Sequence, residues 1–296
     1  MRFVQEGDLS NRLFVIISVR DNVWSSIYSG NRVNYYNEEH IQILKWDYRS
    51  IEYFFNSKIK TLEEKYVRNM VRDVQINDWL GITNVKNVYR NISEPVMQYI
   101  LRHTRLLPRD VIIMGNVLAA IRKYEYEISE YGSEEVQKFV RRSVADCAKI
   151  FGSELLEICA NQIINQMKSE NNAMRIYSSE IEYEVSVSQK LKEIICLLQR
   201  DKFSWDELRD LEANSHDAFG KGIKILDILW QNGAIGYFEM GANRERREIF
   251  FDIQFPEFKI PRNKPIYVLR SCLIDACDIE QEREWDDIPV LGDGKR

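Results

Sequence analysis

The sequence predicts a mainly α-helical protein with minor β-structure, ending in a winged helix, and three observations carry that prediction. Apolar residues recur at helical spacing behind cap residues through the middle of the chain. Near the C-terminus three helical patterns are followed by two β-like runs, AIGYFEM and REIFFDIQF, joined through GANRER as in a hairpin. The one run that reads as a strand buried on both faces is LFVIISVRD, residues 13–21, and only twelve residues precede it. A complete parallel sheet does not fit into so short a lead.

In chain order, the strand at 13–21 ends in Arg20 beside Asp21, the strand terminus where open α/β sheets hold ligands. Residues 22–28 follow as a short helix, SGNRVNYYNEEH as a polar loop, and HIQILKW as a short strand with Ile41, Ile43 or Leu44, and Trp46 partly buried. Asp47 is an N-cap for a helix from 48 to about 66, striped by Ile51, Phe54, Phe55, Ile59 and Leu62. Ser93 caps a helix carrying Pro95 in its first turn, where a missing N–H does no harm. Pro108 opens another after HTRLL, its apolar face including Val111, Ile112, Val117, Leu118 and Ile121. Ser133 with Glu134 and Glu135 begins a further helix and Ser153 with Glu154 the next, each placing acids at the positive end of the helix dipole.

The pattern weakens over SENNAMRIYSSEIEYE, which marks a domain boundary near residue 184. Beyond it Leu191, Ile194, Ile195 and Leu198 mark one helix; Ser204 with Glu207 makes a capping box for a short second; residues 218–232 supply a third. The glycine and asparagine of GAN predict a tight turn that exposes Arg244, Arg246 and Arg247 at the hairpin tip.

At 296 residues, 45% apolar and 11% aromatic, the chain can build sizeable cores, and its net charge of −5 gives no global drive toward nucleic acid. Any DNA contact has to be local. Five single cysteines (147, 159, 196, 272, 277) without CxxC spacing fit buried, reduced thiols of a cytosolic protein. The polar, acidic start MRFVQEGDLSNR is no signal peptide, and no apolar run approaches the ~20 residues of a membrane span. The expectation is a soluble cytoplasmic protein with no membrane association.

The sequence contains no GxxxxGK followed by Ser or Thr, the loop whose N–H groups and lysine cradle phosphates; FGKGIKI lacks the spacing and the hydroxyl. His40, His103 and His216 have no HExxH or zinc-finger spacing, and GxSxG is absent. No catalytic constellation and no metal site is expected.

Taken in order, VIISVRD, IQILKWDYRSIEYFFNSKI and HTRLLPRDVI, followed by a helical segment and a winged helix, resemble the C-terminal half of bacterial P-loop ATPases of the AAA and STAND type, relatives of the NB-ARC switches. The resemblance covers most of residues 13–279 and implies the remnant of an α/β NTPase sheet over 1–66, a helical lid region over 67–184, a winged helix over 185–279 and an acidic flexible tail over 280–296. It puts Arg20 at the first sensor, facing a nucleotide's outer phosphate, and Pro108 and Arg109 at the lid helix beside base and phosphates. Arg109 also reads simply as a helix-start arginine paired with Asp110 or solvent. Arg270, in YVLRSCLIDAC, stands where relatives often carry a histidine. The chain then reads either as a truncated product or as a piece that works with a separate phosphate-loop half; ATP or ADP with Mg is expected only where that half is supplied, otherwise there is no cofactor, and the chain is not expected to be an autonomous enzyme. Its partners are that half or a second copy, since an incomplete sheet leaves strand edges open. The alternative is a DNA-binding regulator in which Lys221, Lys224, Arg244, Arg246 and Arg247 touch DNA, against the acids Asp217 and Asp227 nearby.

Overall fold

The computed structural model describes residues 46–62, 74–87, 92–125, 133–170, 180–240, 246–251 and 259–279. All of these belong to one unit that begins at Trp46. The predicted strand at 13–21 with Arg20, the helix and loop after it, and the strand residues through 45 lie outside the described residues. So do the hairpin tip with Arg244 and the tail.

Asp47 caps the first helix, α1 (Tyr48–Lys60), by accepting a 2.7 Å bond from Ser50 N. Ile51, Phe55 and Ile59 are buried at helical spacing, as expected. The helix stops at Lys60 rather than near residue 66, because Thr61 closes it with a 2.8 Å bond from its Oγ1 to Lys58 O. A short helix, α2 (Ile76–Leu80), leads to the antiparallel pair β1 (Asn84–Asn87) and β2 (Ile92–Pro95) and then to α3 (Val96–Arg102). This corrects the expected cap. Ser93 is a strand residue opposite Lys86, and Pro95 is itself the N-cap, since pairing with β1 claims the backbone before it.

Pro108 does open α4 (Pro108–Glu125), which buries Val111, Met114 and Leu118. Ile112 of the expected face is 44% exposed, one residue and hence ~100° off that stripe. The next helix, α5 (Ser133–Glu170), is continuous through residue 153, contrary to the expected break. Val140, Val144, Cys147, Phe151, Leu155, Cys159 and Ile163 recur three or four apart and are all buried, so burial carries the helix through. Ser153 turns its Oγ back onto Lys149 O at 2.9 Å, the habit of a mid-helix serine. Gly152 is no breaker either: a Cβ there would lie 2.3 Å from Cys272 O, so the position is a dent that admits another backbone.

The C-terminal part starts with α6 (Glu180–Cys196), burying Val187, Leu191, Ile194 and Ile195. After β3 (Lys202–Phe203), both bonds of the Ser204–Glu207 capping box form and start α7 (Trp205–Phe219), which at 15 residues is not short. Gly220, at φ 92, ends it, so residue 218 belongs to α7 and the third helix, α8, is only Ile225–Gln231. The hairpin strands follow as β4 (Ile235–Met240) and β5 (Arg246–Phe250), paired antiparallel. Unforeseen from sequence are β6 (Tyr267–Leu269) and α9 (Ser271–Ala276). The sheet order is β3-β6-β4-β5, antiparallel throughout, so the last described strand sits inside it. The fold is thus mainly α with minor β. One core runs from Ile51 to Ile279, with α5 packed against α4, α6, α8 and α9. Among the described residues no helix is long and apolar enough to cross a membrane.

Candidate functional site

The loop between α3 and α4 is built by its own polar groups. Thr104, buried, donates from Oγ1 to Leu101 O (2.7 Å) and accepts from Leu106 N (3.1 Å). Leu106 is thereby held at φ 57, a conformation that a leucine rarely adopts. Asp110, three residues into α4 and fully buried, reaches back to accept from Arg105 N (3.0 Å), Nε (2.9 Å) and Nη2, the last bond to its Oδ1 at 2.6 Å. Arg105 Nη2 also donates to Glu154 on α5 at 2.7 Å. Burial works against the Arg105 charge, but Asp110 and then Glu154 outweigh it and hold the guanidinium protonated beyond the ordinary arginine range.

Arg109 is the outer member of this cluster. Its guanidinium is 67% exposed and grips Glu154 bidentately, Nη2 to Oε1 at 2.7 Å and Nη1 to Oε2 at 3.0 Å. Of the two sequence readings for its partner, Asp110 is excluded, because Arg105 takes that carboxylate. A buried, paired base thus supports an arginine at the positive end of an 18-residue helix. Such an arginine can hold an oxyanion, and Glu154 shows it doing so with a carboxylate.

A second buried polar cluster adjoins the first through α3. Glu94 of β2 accepts from Asn87 Nδ2 (3.0 Å) and from Arg102 Nε (2.9 Å), and Arg102 Nη1 reaches Ser271 Oγ on α9 at 3.3 Å. His103 ends α3 with Nδ1 2.8 Å from Tyr99 O and Nε2 3.5 Å from Asp275 Oδ2. Burial pushes the Asp275 carboxyl up to about 7, against the opposing pull of Arg102 and Lys149.

The remaining predicted residues are dispersed. Pro108 is the first residue of α4 and sits beside Arg109. Lys221 and Lys224 are exposed, the former in the turn before α8 and the latter at its N-cap. Arg246 and Arg247 are not in the hairpin tip but are β5 residues opposite Met240 and Glu239, because pairing extends to the strand's first residue. Asp227 accepts from Ile260 N at 3.2 Å and so ties the returning chain to α8. Arg270 has a structural partner: its Nε donates to Gly233 O at 2.5 Å and its guanidinium lies 4.1 Å from the Phe250 ring centre.

Sequence reading found Pro108 and Arg109 but missed Arg105, Asp110 and Glu154 as a unit. Asp110 was legible in part, being an acid two residues after a helix-opening proline, where it can cap backwards. Glu154, 49 residues from Arg105, had no local signal. Among the described residues no group of three or more His, Cys, Asp or Glu is placed to hold a metal ion. No protein-family model, curated protein or solved structure matches the chain.

Proposed function

We propose that this chain is the sensor, lid and winged-helix portion of a STAND-like ATP-dependent switch, working with a phosphate-loop half supplied separately. The observation that supports it most is the seat of Arg109. A proline-opened helix, fixed at its base by the buried Arg105–Asp110 bond, offers an exposed guanidinium at its positive end and ties it through Glu154 to α5. An anion drawn to Arg109 then competes with Glu154, and the effect reaches α5, on which α6, α8 and α9 are packed. Nucleotide at the lid is in this way coupled to residues 180–279, whose three helices and antiparallel sheet we read as the winged helix. The fit to nucleotide is partial, since Arg20 and Arg109 supply charge without a phosphate loop.

The DNA-binding alternative has weaker support. Helix α8 commits Ile225, Leu226, Ile228, Leu229 and Trp230 to the core, which leaves little of it to enter a groove.

Each charge-assisted contact contributes about 1.5 to 3 kcal/mol net, whereas even millimolar affinity needs about 4 kcal/mol. The chain alone is expected to bind ATP more weakly than millimolar and to release no phosphate. With a phosphate-loop half added, calorimetry is expected to show ATP binding, Arg109→Ala to weaken it about tenfold or more, and Arg20→Ala to blunt discrimination between ATP and ADP. Tight ATP binding by the chain alone, or indifference of the complex to both substitutions, overturns the reading.

A further inference from the structure

We infer that Cys196 and Cys277 form an oxidation site, two thiols placed to close into a disulfide that joins α6 to α9. The inference is independent of any role in nucleotide binding. Cys196 is the last residue of α6 and Cys277 the C-cap of α9, 81 residues apart in sequence. The Cys196 Sγ donates to Cys277 O at 3.5 Å, and the two thiols are in hydrogen-bond contact with each other. Both are free thiols in the structure. A disulfide draws the sulfurs from such contact to about 2.05 Å. Each cysteine sits at the end of its helix, where the backbone adjusts at least cost.

Exposure sets the order of events. Cys196 is partly exposed, whereas Cys277 is 7% exposed. Burial, and then Cys196 itself, push the Cys277 thiol up to about 12, against the pull of Lys192 one turn before Cys196. A protonated thiol thus lies behind an accessible one, and Cys196 meets the oxidant first. With a hydroperoxide as oxidant, the Cys196 sulfur attacks the terminal oxygen and the O–O bond breaks. Cys196 becomes a sulfenic acid, and the departing alkoxide takes up the thiol proton and leaves as an alcohol, or as water from hydrogen peroxide. The Cys277 sulfur then attacks that of Cys196: the S–S bond forms, the S–O bond breaks, and hydroxide leaves with the Cys277 proton as water. Two electrons have passed from the thiols to the hydroperoxide. Cys147, Cys159 and Cys272 are at most 1% exposed and stay outside this chemistry.

The position of the pair gives the bond its effect. Helix α6 opens the C-terminal part and α9 closes its described portion, and both pack on α5. A disulfide between their ends encloses α7, α8 and the β3-β6-β4-β5 sheet in one covalent loop. Cross-linking so long a loop removes freedom chiefly from the unfolded chain, so oxidation holds this part folded more firmly.

Peptide mapping of the full chain after treatment with hydrogen peroxide under native conditions tests this, with the remaining thiols blocked before digestion. Mass spectrometry without reduction is expected to recover one cross-linked peptide pair, Cys196 to Cys277, lighter than the reduced pair by two hydrogens. Free thiols are expected to fall by two from the five of the sequence and to return with dithiothreitol. The melting temperature is expected to rise by about 5 °C or more on oxidation. Cys277→Ser keeps Cys196 and is expected to stop at the sulfenic acid, captured by dimedone, with no such rise. The mapping of the unsubstituted chain does not rely on that variant folding. Cys196 carried to sulfinic acid while Cys277 remains a thiol, a disulfide through another cysteine or between chains, or an oxidised chain that melts no higher overturns the inference.

Discussion

Asp110 and Arg109 are adjacent in sequence and opposite in energetic character. Asp110 is fully buried and takes three bonds from Arg105, so removing its carboxylate leaves the buried guanidinium with Glu154 alone and its Nε without that acceptor. Asp110→Ala is expected to lower unfolding stability by about 3 to 5 kcal/mol, as breaking a buried pair does. Arg109 is mostly exposed, and Arg109→Ala is expected to change stability by less than about 1 kcal/mol despite its bidentate grip on Glu154. Urea denaturation of both variants separates the structural base of the cluster from its exposed arm. Equal losses would show that Arg109 also belongs to the base.

Helix ends divide into those that local chemistry specifies and those that packing overrules. Asp47 and the Ser204–Glu207 box were legible because each cap lies within three residues of the group it satisfies, and Pro108 because a proline at the first helical position loses no bond. Ser153 carries the same signature of serine followed by acid, yet it lies inside α5, where buried residues on both sides hold the helix together. The two serines should respond differently. Ser204→Ala is expected to cost about 1 kcal/mol, the usual worth of an N-cap, and Ser153→Ala to leave thermal stability within about 0.5 kcal/mol or raise it. Comparable losses at both sites would mean that α5 is two helices in solution. The third helix of the C-terminal part is shorter than expected for a local reason: Gly220, at φ 92, and the turn at Lys221 and Gly222 separate Phe219 from Ile225.

Across the whole molecule, the contacts that sequence could not reveal join distant segments: Arg105 to Glu154 over 49 residues, Arg102 to Ser271 over 169. Acid stability should follow another such balance, within the C-terminal part. Burial works against the Glu207 carboxylate, but bonds from Ser204 and Arg200 outweigh it and hold it below the ordinary range. A depressed carboxylate contributes stability present above its unfolded value of about 4.3 and lost as pH falls through the folded value. Stability is therefore expected to decline on acidification below about pH 4.3, and Glu207→Gln to shallow that decline when melting is followed against pH. The strand order β3-β6-β4-β5 bears on how the protein is made. Strand β6, residues 267–269, lies between β3 and β4, so a nascent chain has neither neighbour paired on that side until residues 267–269 have left the ribosome. The β4–β5 hairpin can form before that, but the sheet closes only once β6 has emerged, and two open edges wait through the interval. Translation arrested before Tyr267 would release a chain with its hairpin made and its sheet open, a form that chaperones and proteases are equipped to catch.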